Sequence, residues 1–339
     1  MVVGQSPGMD GAWNTREELM ATDFNERARR LRNAVEPVAA GVYFAPEAHA
    51  AYEALGFDPS PKAAQKDGIA RPEMKSYFTS RGACMGQVSG EVVAAAFGCF
   101  NPKAVVPGVA AGWQIVDRET ILWAREQGAT AMLKRVLGEE PEGLGRVTEL
   151  LRRAADAAPW SGHAVNSGLR SLGFPGTPLG DLWRAADLVR EHRGDSHVIA
   201  WAVGGVDAVE ILLLTEQYWG VPVRAYTPSR GWNDADMDAG FERLQARGLM
   251  TAEEKITDAG MAFREEIEVR TDELERPLLD ALGGDLDELL EHLDAWSEAI
   301  IDAGSYPQRI AGVYNVGGGP HFGSGLTIDT AAELYGNRA

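Results

Sequence analysis

Apolar side chains recur at helical spacing along most of the chain. Phe24, Ala28, Leu31, Val35 and Val38 share one face of a helix that starts near Asp23. Pro37 is expected to kink or end it. Pro46 suits the first turn of a second helix, which carries Ala50, Tyr52 and Leu55 and stops at Gly56. Residues 58–72 read as a loop from their proline spacing. Glu91 to Phe100 is rich in alanine, which favours helix over strand, and Asn101-Pro102 ends that piece and opens another. Residues 117–137 are cleanly amphipathic, and a further helix covers about 144–158. After a non-helical stretch at 173–180, a helix pair is expected over 181–193 and 196–217. Gly194 would be the stop, with Asp195 or Ser196 the next cap.

The most specific pattern lies at 229–283. Asn233 offers an N-cap, and a helix runs through Met237, Phe241 and Leu244 to Arg247, where Gly248 ends it. Residues 250–256 are short enough for a two-stranded wing, and Thr257 caps a long helix from Asp258 to Leu282. Helix, small hairpin and long helix in that order are the layout of a winged helix. An acidic helix follows at 285–303. The organisation expected is a flexible N-terminus (1–22), an N-terminal helical domain (23–140), and a central helix pair with the winged unit (144–283). The acidic helix (285–303) and a flexible glycine-rich tail (304–339) complete it. The fold class is mainly α.

Three stretches carry a resemblance: Tyr43-Phe-Ala-Pro-Glu47, Leu188-Val-Arg-Glu-His-Arg-Gly-Asp-Ser-His197, and Ser229-Arg-Gly-Trp232 with Leu244-Gln-Ala-Arg-Gly-Leu249. Together they resemble an actinobacterial helix-turn-helix, winged-helix-like family over roughly residues 27–282. The resemblance implies a mostly helical fold with winged-helix units, a second related one falling in the N-terminal half. It carries no established activity, so it assigns no catalytic residue.

Charge alters what a winged helix suggests. The chain of 339 residues has a formal net charge of −18. Between Asp234 and Asp302, 21 acidic side chains face six basic ones. Phosphate contacts supply most of the affinity of a DNA-binding unit, so this region is badly placed to meet a duplex. A DNA-binding transcriptional regulator would need a basic surface built elsewhere, from Arg27, Arg29, Arg30 and Arg32 with Arg152 and Arg153. The acidic run from Glu265 to Glu275 reads as a solvated helix face. The long C-terminal helices suit pairing in a homodimer, although their charge favours solvent. No signal-peptide pattern opens the chain, and the longest apolar run, Val198–Val206, is too short to span a bilayer. Cys84 and Cys99 form no CxxC. A reduced, cytoplasmic protein without membrane contact is expected.

Candidate chemistry concentrates in the Glu-His-Arg-Gly-Asp segment. On one continuous helix, His192 and His197 would point about 140° apart. A break at Gly194 would let both rings enter one space. Arg193 would then offer a planar fork to a carboxylate or phosphate, and Asp195 would orient an imidazole. The competing reading needs no ligand: Arg and His answer a helix C-terminal dipole, Gly stops the helix, and Asp or Ser caps the next. In the N-terminal half, Tyr43, Phe44, Tyr77, Phe97, Phe100 and Trp113 gather aromatic surface, either as core or as the wall of an apolar pocket. Glu47, Arg81 and Asn101 would be its polar selectors. No phosphate loop, zinc motif or other cofactor signature appears, and no cofactor or metal is expected. The leading reading is a small-molecule-binding protein, a sensor or a sequestering protein, taking an apolar or aromatic ligand. A DNA-binding regulator and an enzyme built on His192, Asp195 and His197 are the alternatives.

Overall fold

The computed structural model describes residues 16–61, 69, 71–220 and 222–306. The expectations for the remaining N-terminal residues and for the tail beyond 306 lie outside them. The described residues form fourteen α-helices and a few 3-10 turns, and the antiparallel pairing of Met250 with Ile256 is the one isolated β-bridge among them.

The first body contains α1 (Arg16–Ala40), α2 (Pro46–Ala54), α3 (Met74–Gly82), α4 (Gly90–Phe97), α5 (Pro102–Ile115) and α6 (Arg118–Leu137). It continues through α7 (Leu144–Ala157), α8 (Ala164–Ser171) and the 26-residue α9 (Pro178–Val203). α10 (Ala208–Tyr218), α11 (Asp234–Ala246) and α12 (Asp258–Leu274) follow, and α13 (Arg276–Leu282) and α14 (Leu286–Asp302) close the described chain. α1 begins at Arg16 rather than Asp23, and it runs three residues past Pro37.

One buried cluster joins side chains from α1 through α9 with those of α13 and α14; Val38, Ile121, Leu150, Trp183, Leu279 and Leu290 all belong to it. It crosses residues 138–143 without a gap. That stretch is therefore a surface turn joining helices that share one core, not a seam between an N-terminal and a central domain. α9 is the axle, packed against α1, α6, α7, α8 and α12. α6 and α2 approach closely: a Cβ on Gly128 would lie 2.5 Å from the backbone of Ala48.

A second cluster forms the winged-helix unit. Val209, Leu213, Met237, Phe241, Leu244 and Ile267 bring α10, α11 and α12 together with the end of α9. Asn233 caps α11 in a reciprocal capping box with Asp236, and Thr257 caps α12 through Gly260 N–H. Met250 and Ile256 close the expected wing as a single bridge.

Two further helix boundaries differ from expectation. α9 passes straight through Gly194 and ends at Gly204-Gly205 instead. A lone glycine costs a helix only about 1 kcal/mol, and α9 is packed on several sides. At the real break, Gly205 takes φ +70° and Asp207 opens α10 in a capping box with Glu210. α9 and α10 diverge by 108° there. The expected 258–282 helix is two pieces, because Pro277 supplies no N–H and the chain turns at Glu275.

Candidate functional site

The polar centre of the molecule lies where the two clusters meet. Four helices each contribute a stripe at helical spacing. α9 presents Arg190, Arg193, Gly194, His197 and Trp201; α12 presents Arg264, Glu268 and Thr271, with Glu275 just beyond its end. α1 adds Leu31, Arg32, Val35 and Glu36, and α10 adds Ile211, Leu212, Thr215 and the neighbouring Trp219. They line a half-open cavity of about 210 Å³, with Arg81, Cys99 and Tyr226 on its wall. Tyr226 is brought there by Glu216, a fully buried carboxylate of α10 that accepts from the backbone N–H groups of Arg224, Tyr226 and Thr227, each at 2.7 Å.

Glu268 organises the charged side of the cavity. It accepts from Arg193 Nη2 at 2.6 Å, Arg32 Nη1 at 2.7 Å and Arg264 Nη1 at 2.9 Å. Burial works to raise its carboxyl, and the three arginines overcome that and hold it well below the usual range. Arg193 Nη2 also donates to Asp272 Oδ1 at 2.7 Å. Its other terminal nitrogen, Nη1, is buried and has no hydrogen-bond partner. Across the wall, Arg81 holds Glu191 in a two-point pair at 2.8 and 2.6 Å. Burial again opposes ionisation, yet Arg81 and Arg190 bring Glu191 down to about 2.

His197 is neutral here. Burial, then the charges of Arg264, Arg193 and Arg32, push its imidazole down to about 3, against an opposing effect of Glu268. Its Nδ1 lies 3.2 Å from Thr271 Oγ1, and that hydroxyl gives its own proton to Ile267 O at 2.8 Å. Nδ1 must therefore be the donor, which leaves Nε2 as an acceptor.

The opposite face of α9 carries a different polar group. His192 stacks on His163 with ring centroids 4.0 Å apart and planes at 4°. His192 Nδ1 is 2.7 Å from Glu275 Oε1, Ser196 Oγ donates to the same oxygen at 2.9 Å, and His163 Nε2 lies 2.9 Å from Ser196 Oγ. Burial and then the neighbouring His192 lower the basicity of His163. Asp195 faces α8, where Oδ2 accepts from Asn166 N–H at 3.0 Å. These bonds fasten α8 and the α12–α13 corner to α9.

The outer face of the winged unit is acidic. Asp234, Asp238 and Glu242 are exposed along α11, with Glu253 exposed in the wing. Arg243 of α11 and Arg247 at its C-cap are engaged within the protein: Arg243 donates to Asp207 at 2.6 Å and Arg247 to the carbonyl of Gly205 at 2.9 Å. The arginines expected to build a basic surface elsewhere do not stand free either: Arg27 donates to the carbonyl of Gly283 at 3.3 Å, and the other five form ion pairs. Arg29 pairs with Glu265 and Asp272, Arg30 with Asp294, Arg32 with Glu268, Arg152 with Asp181 and Arg153 with Asp285.

The model of a family described as helix-turn-helix matches residues 28–307. The chain belongs to that helix-turn-helix family. No curated protein and no solved structure matches it. The family match takes in both buried clusters and all of the cavity wall.

In this helix-turn-helix protein the expected site residues separate. Arg81, Arg193 and His197 reach the cavity. His192 and Asp195 turn away from it, because α9 is continuous at Gly194. The three residues therefore do not converge as an enzyme built on His192, Asp195 and His197 requires. The N-terminal aromatics pack on one another and line no part of this cavity: Tyr77 lies edge-on to Tyr43 at 4.9 Å, and Phe97 and Phe100 are 6.1 Å apart in the same buried group. Phe44 packs on Tyr306, and Trp113 Nε1 donates to Val88 O at 2.8 Å. Glu47 pairs with Arg135, and Asn101 caps α5 while donating to Gly231 O at 2.9 Å. The cavity residues that the sequence reading did not assign to the site are Arg32, Glu36, Arg190, Arg264, Glu268 and Glu275. The run 265–275 is not a uniformly solvated face, since Glu268, Asp272 and Glu275 are buried. Among the described residues no group of three His, Cys, Asp or Glu side chains is placed to hold a metal ion, and no single helix is long and apolar enough to cross a membrane.

Proposed function

We propose that this helix-turn-helix protein is a cytoplasmic small-molecule-binding protein, a sensor or sequestering protein, with its site in the cavity between α1, α9, α10 and α12. One observation carries the reading: a half-open cavity of about 210 Å³ combines apolar walls with converging buried polar groups, the usual make-up of a ligand site. Its walls come from both clusters, with Leu31 and Val35 on one side and Trp201 and Ile211 on the other. An occupant would touch the helical body and the winged unit together, as a sensor requires. The free thiols of Cys84 and Cys99 suit a reducing compartment.

Filling the space tests this. Leu212 lines the cavity and is 4% exposed. Leu212→Phe is expected to keep the fold while abolishing the thermal shift that small aromatic and aliphatic compounds give the wild type. A screen without a single stabilising compound, or shifts that survive Leu212→Phe, would remove the cavity as the site.

Family membership supports a second reading, a DNA-binding transcriptional regulator. The acidic face of α11 weighs against it. Titration of the protein with duplex DNA at about 0.15 M salt is expected to show no saturable binding. Tight binding that weakens steeply with added salt would put the regulator first.

A further inference from the structure

We propose that the cavity takes an organic anion, a carboxylate on a single aromatic or similarly compact apolar body, with the carboxylate on Arg193 and the body against Leu31, Ile211 and Trp201. This deepens the small-molecule reading and rests on it.

The charge of the wall points this way. The chain is strongly acidic overall, at −18. The cavity wall reverses that balance: five arginines (Arg32, Arg81, Arg190, Arg193 and Arg264) face three glutamates (Glu36, Glu268 and Glu275). Most of these charges satisfy one another through the pairs at Glu268, Glu191 and Glu36. Arg193 is the exception. Nη2 is shared between two carboxylates, while Nη1 of a residue only 7% exposed is left without a partner. Buried guanidinium donors are rarely left unmatched, and a carboxylate oxygen is their strongest ordinary acceptor. A cationic ligand would meet the arginines and find the carboxylates already taken. His197 refines the choice. Its Nε2 is an acceptor, so the anionic oxygen belongs on the Arg193 side, and any hydroxyl or N–H of the ligand faces His197. The volume, about 210 Å³, exceeds the ~150 Å³ apolar cavity known to hold benzene. It accommodates one ring with a small substituent.

Benzoate and its neutral isostere benzamide separate charge from shape. Isothermal titration of the full chain is expected to show benzoate binding at least about tenfold tighter than benzamide, since a hydrogen bond to a charged group supplies that much discrimination. Arg193→Lys keeps a cation for Glu268 and Asp272 but removes Nη1. It should weaken benzoate by about tenfold or more and leave benzamide unchanged. Thermal melting of the variant checks that it folds. Equal affinity for the two compounds, or a benzoate affinity indifferent to Arg193→Lys, would overturn the anion proposal and leave the cavity reading standing. Binding of neither compound, or binding of both that is unaffected by Leu212→Phe, would overturn the cavity reading itself.

Discussion

Arg125→Met is expected to lower the unfolding free energy by about 3–5 kcal/mol, the usual loss when one partner of a buried ion pair is removed. Arg125 lies on α6 and reaches α9. Its Nη1 donates to Asp187 Oδ2 at 2.8 Å and its Nη2 to Tyr43 OH at 2.7 Å, and the guanidinium carbon sits 4.7 Å from the Trp183 ring centroid. Asp187 is fully buried, with the Arg125 side chain 3% exposed. Methionine restores the volume but strands the carboxylate, and the stranded charge is where the energy is lost. In a thermal melt the effect is about 10 °C. Arg125→Met with Asp187→Leu should recover most of it, because an apolar pair of similar volume replaces both charges. A loss below about 1 kcal/mol for the single variant would mean that water reaches Asp187. The pair also spans the turn at 138–143, so one cooperative transition is expected across α1–α9 rather than two.

The helical fold was legible because its periodicity was strong. Apolar stripes, Pro46, Asn101-Pro102, Asn233, Gly248 and Thr257 mark real caps and breaks, and the wing is only a single bridge where a hairpin fits. The helix break was misplaced for a physical reason. Gly194 has the sequence look of a stop, but a helix stops when the following residues supply an alternative for its carbonyls. Gly204-Gly205 with Asp207 do so, whereas Gly194 is followed by residues that keep the ladder intact. That misplacement carried His192 and Asp195 into a site they do not share. His197 and Arg193 remained on the cavity because they sit on the stripe 190, 193, 197, 201. The same stripe logic on α12 was hidden by composition. Glu265, Glu266 and Glu273 are partly or fully exposed, and their buried neighbours Glu268 and Asp272 look identical until the arginines from α1 and α9 arrive. Those partners are more than 70 positions away in sequence, beyond the reach of local pattern. The aromatic gathering in the N-terminal half was read as either core or pocket wall; tertiary packing makes it core.

Asp195→Asn is expected to stabilise the protein, increasingly as pH rises from about 4 to about 7. Asp195 is 4% exposed, and burial lifts its carboxyl from the ordinary aspartate value to about 7, with Glu191 adding to the rise. The N–H of Asn166 and the charge of Arg81 oppose the shift without cancelling it. The folded carboxyl therefore holds its proton in a range where the unfolded chain has lost it. Folding binds a proton between about pH 4 and 7, so this group makes stability fall as pH rises across that window. Below pH 4 it contributes nothing, and above 7 its whole penalty is present. A shift of about three units corresponds to at most about 4 kcal/mol; local relaxation brings the expectation to about 2–3 kcal/mol at pH 8. Asparagine keeps an oxygen for the Asn166 N–H and cannot ionise. Denaturant unfolding of the two proteins at pH 4.5 and pH 8 should give nearly equal stabilities at the lower pH and a more stable variant at the higher. Equal or lower stability of Asp195→Asn at pH 8 would show that Asp195 is ionised and compensated in the fold. The segment carrying Arg193 and His197 on one face would then have a second charged site on the other.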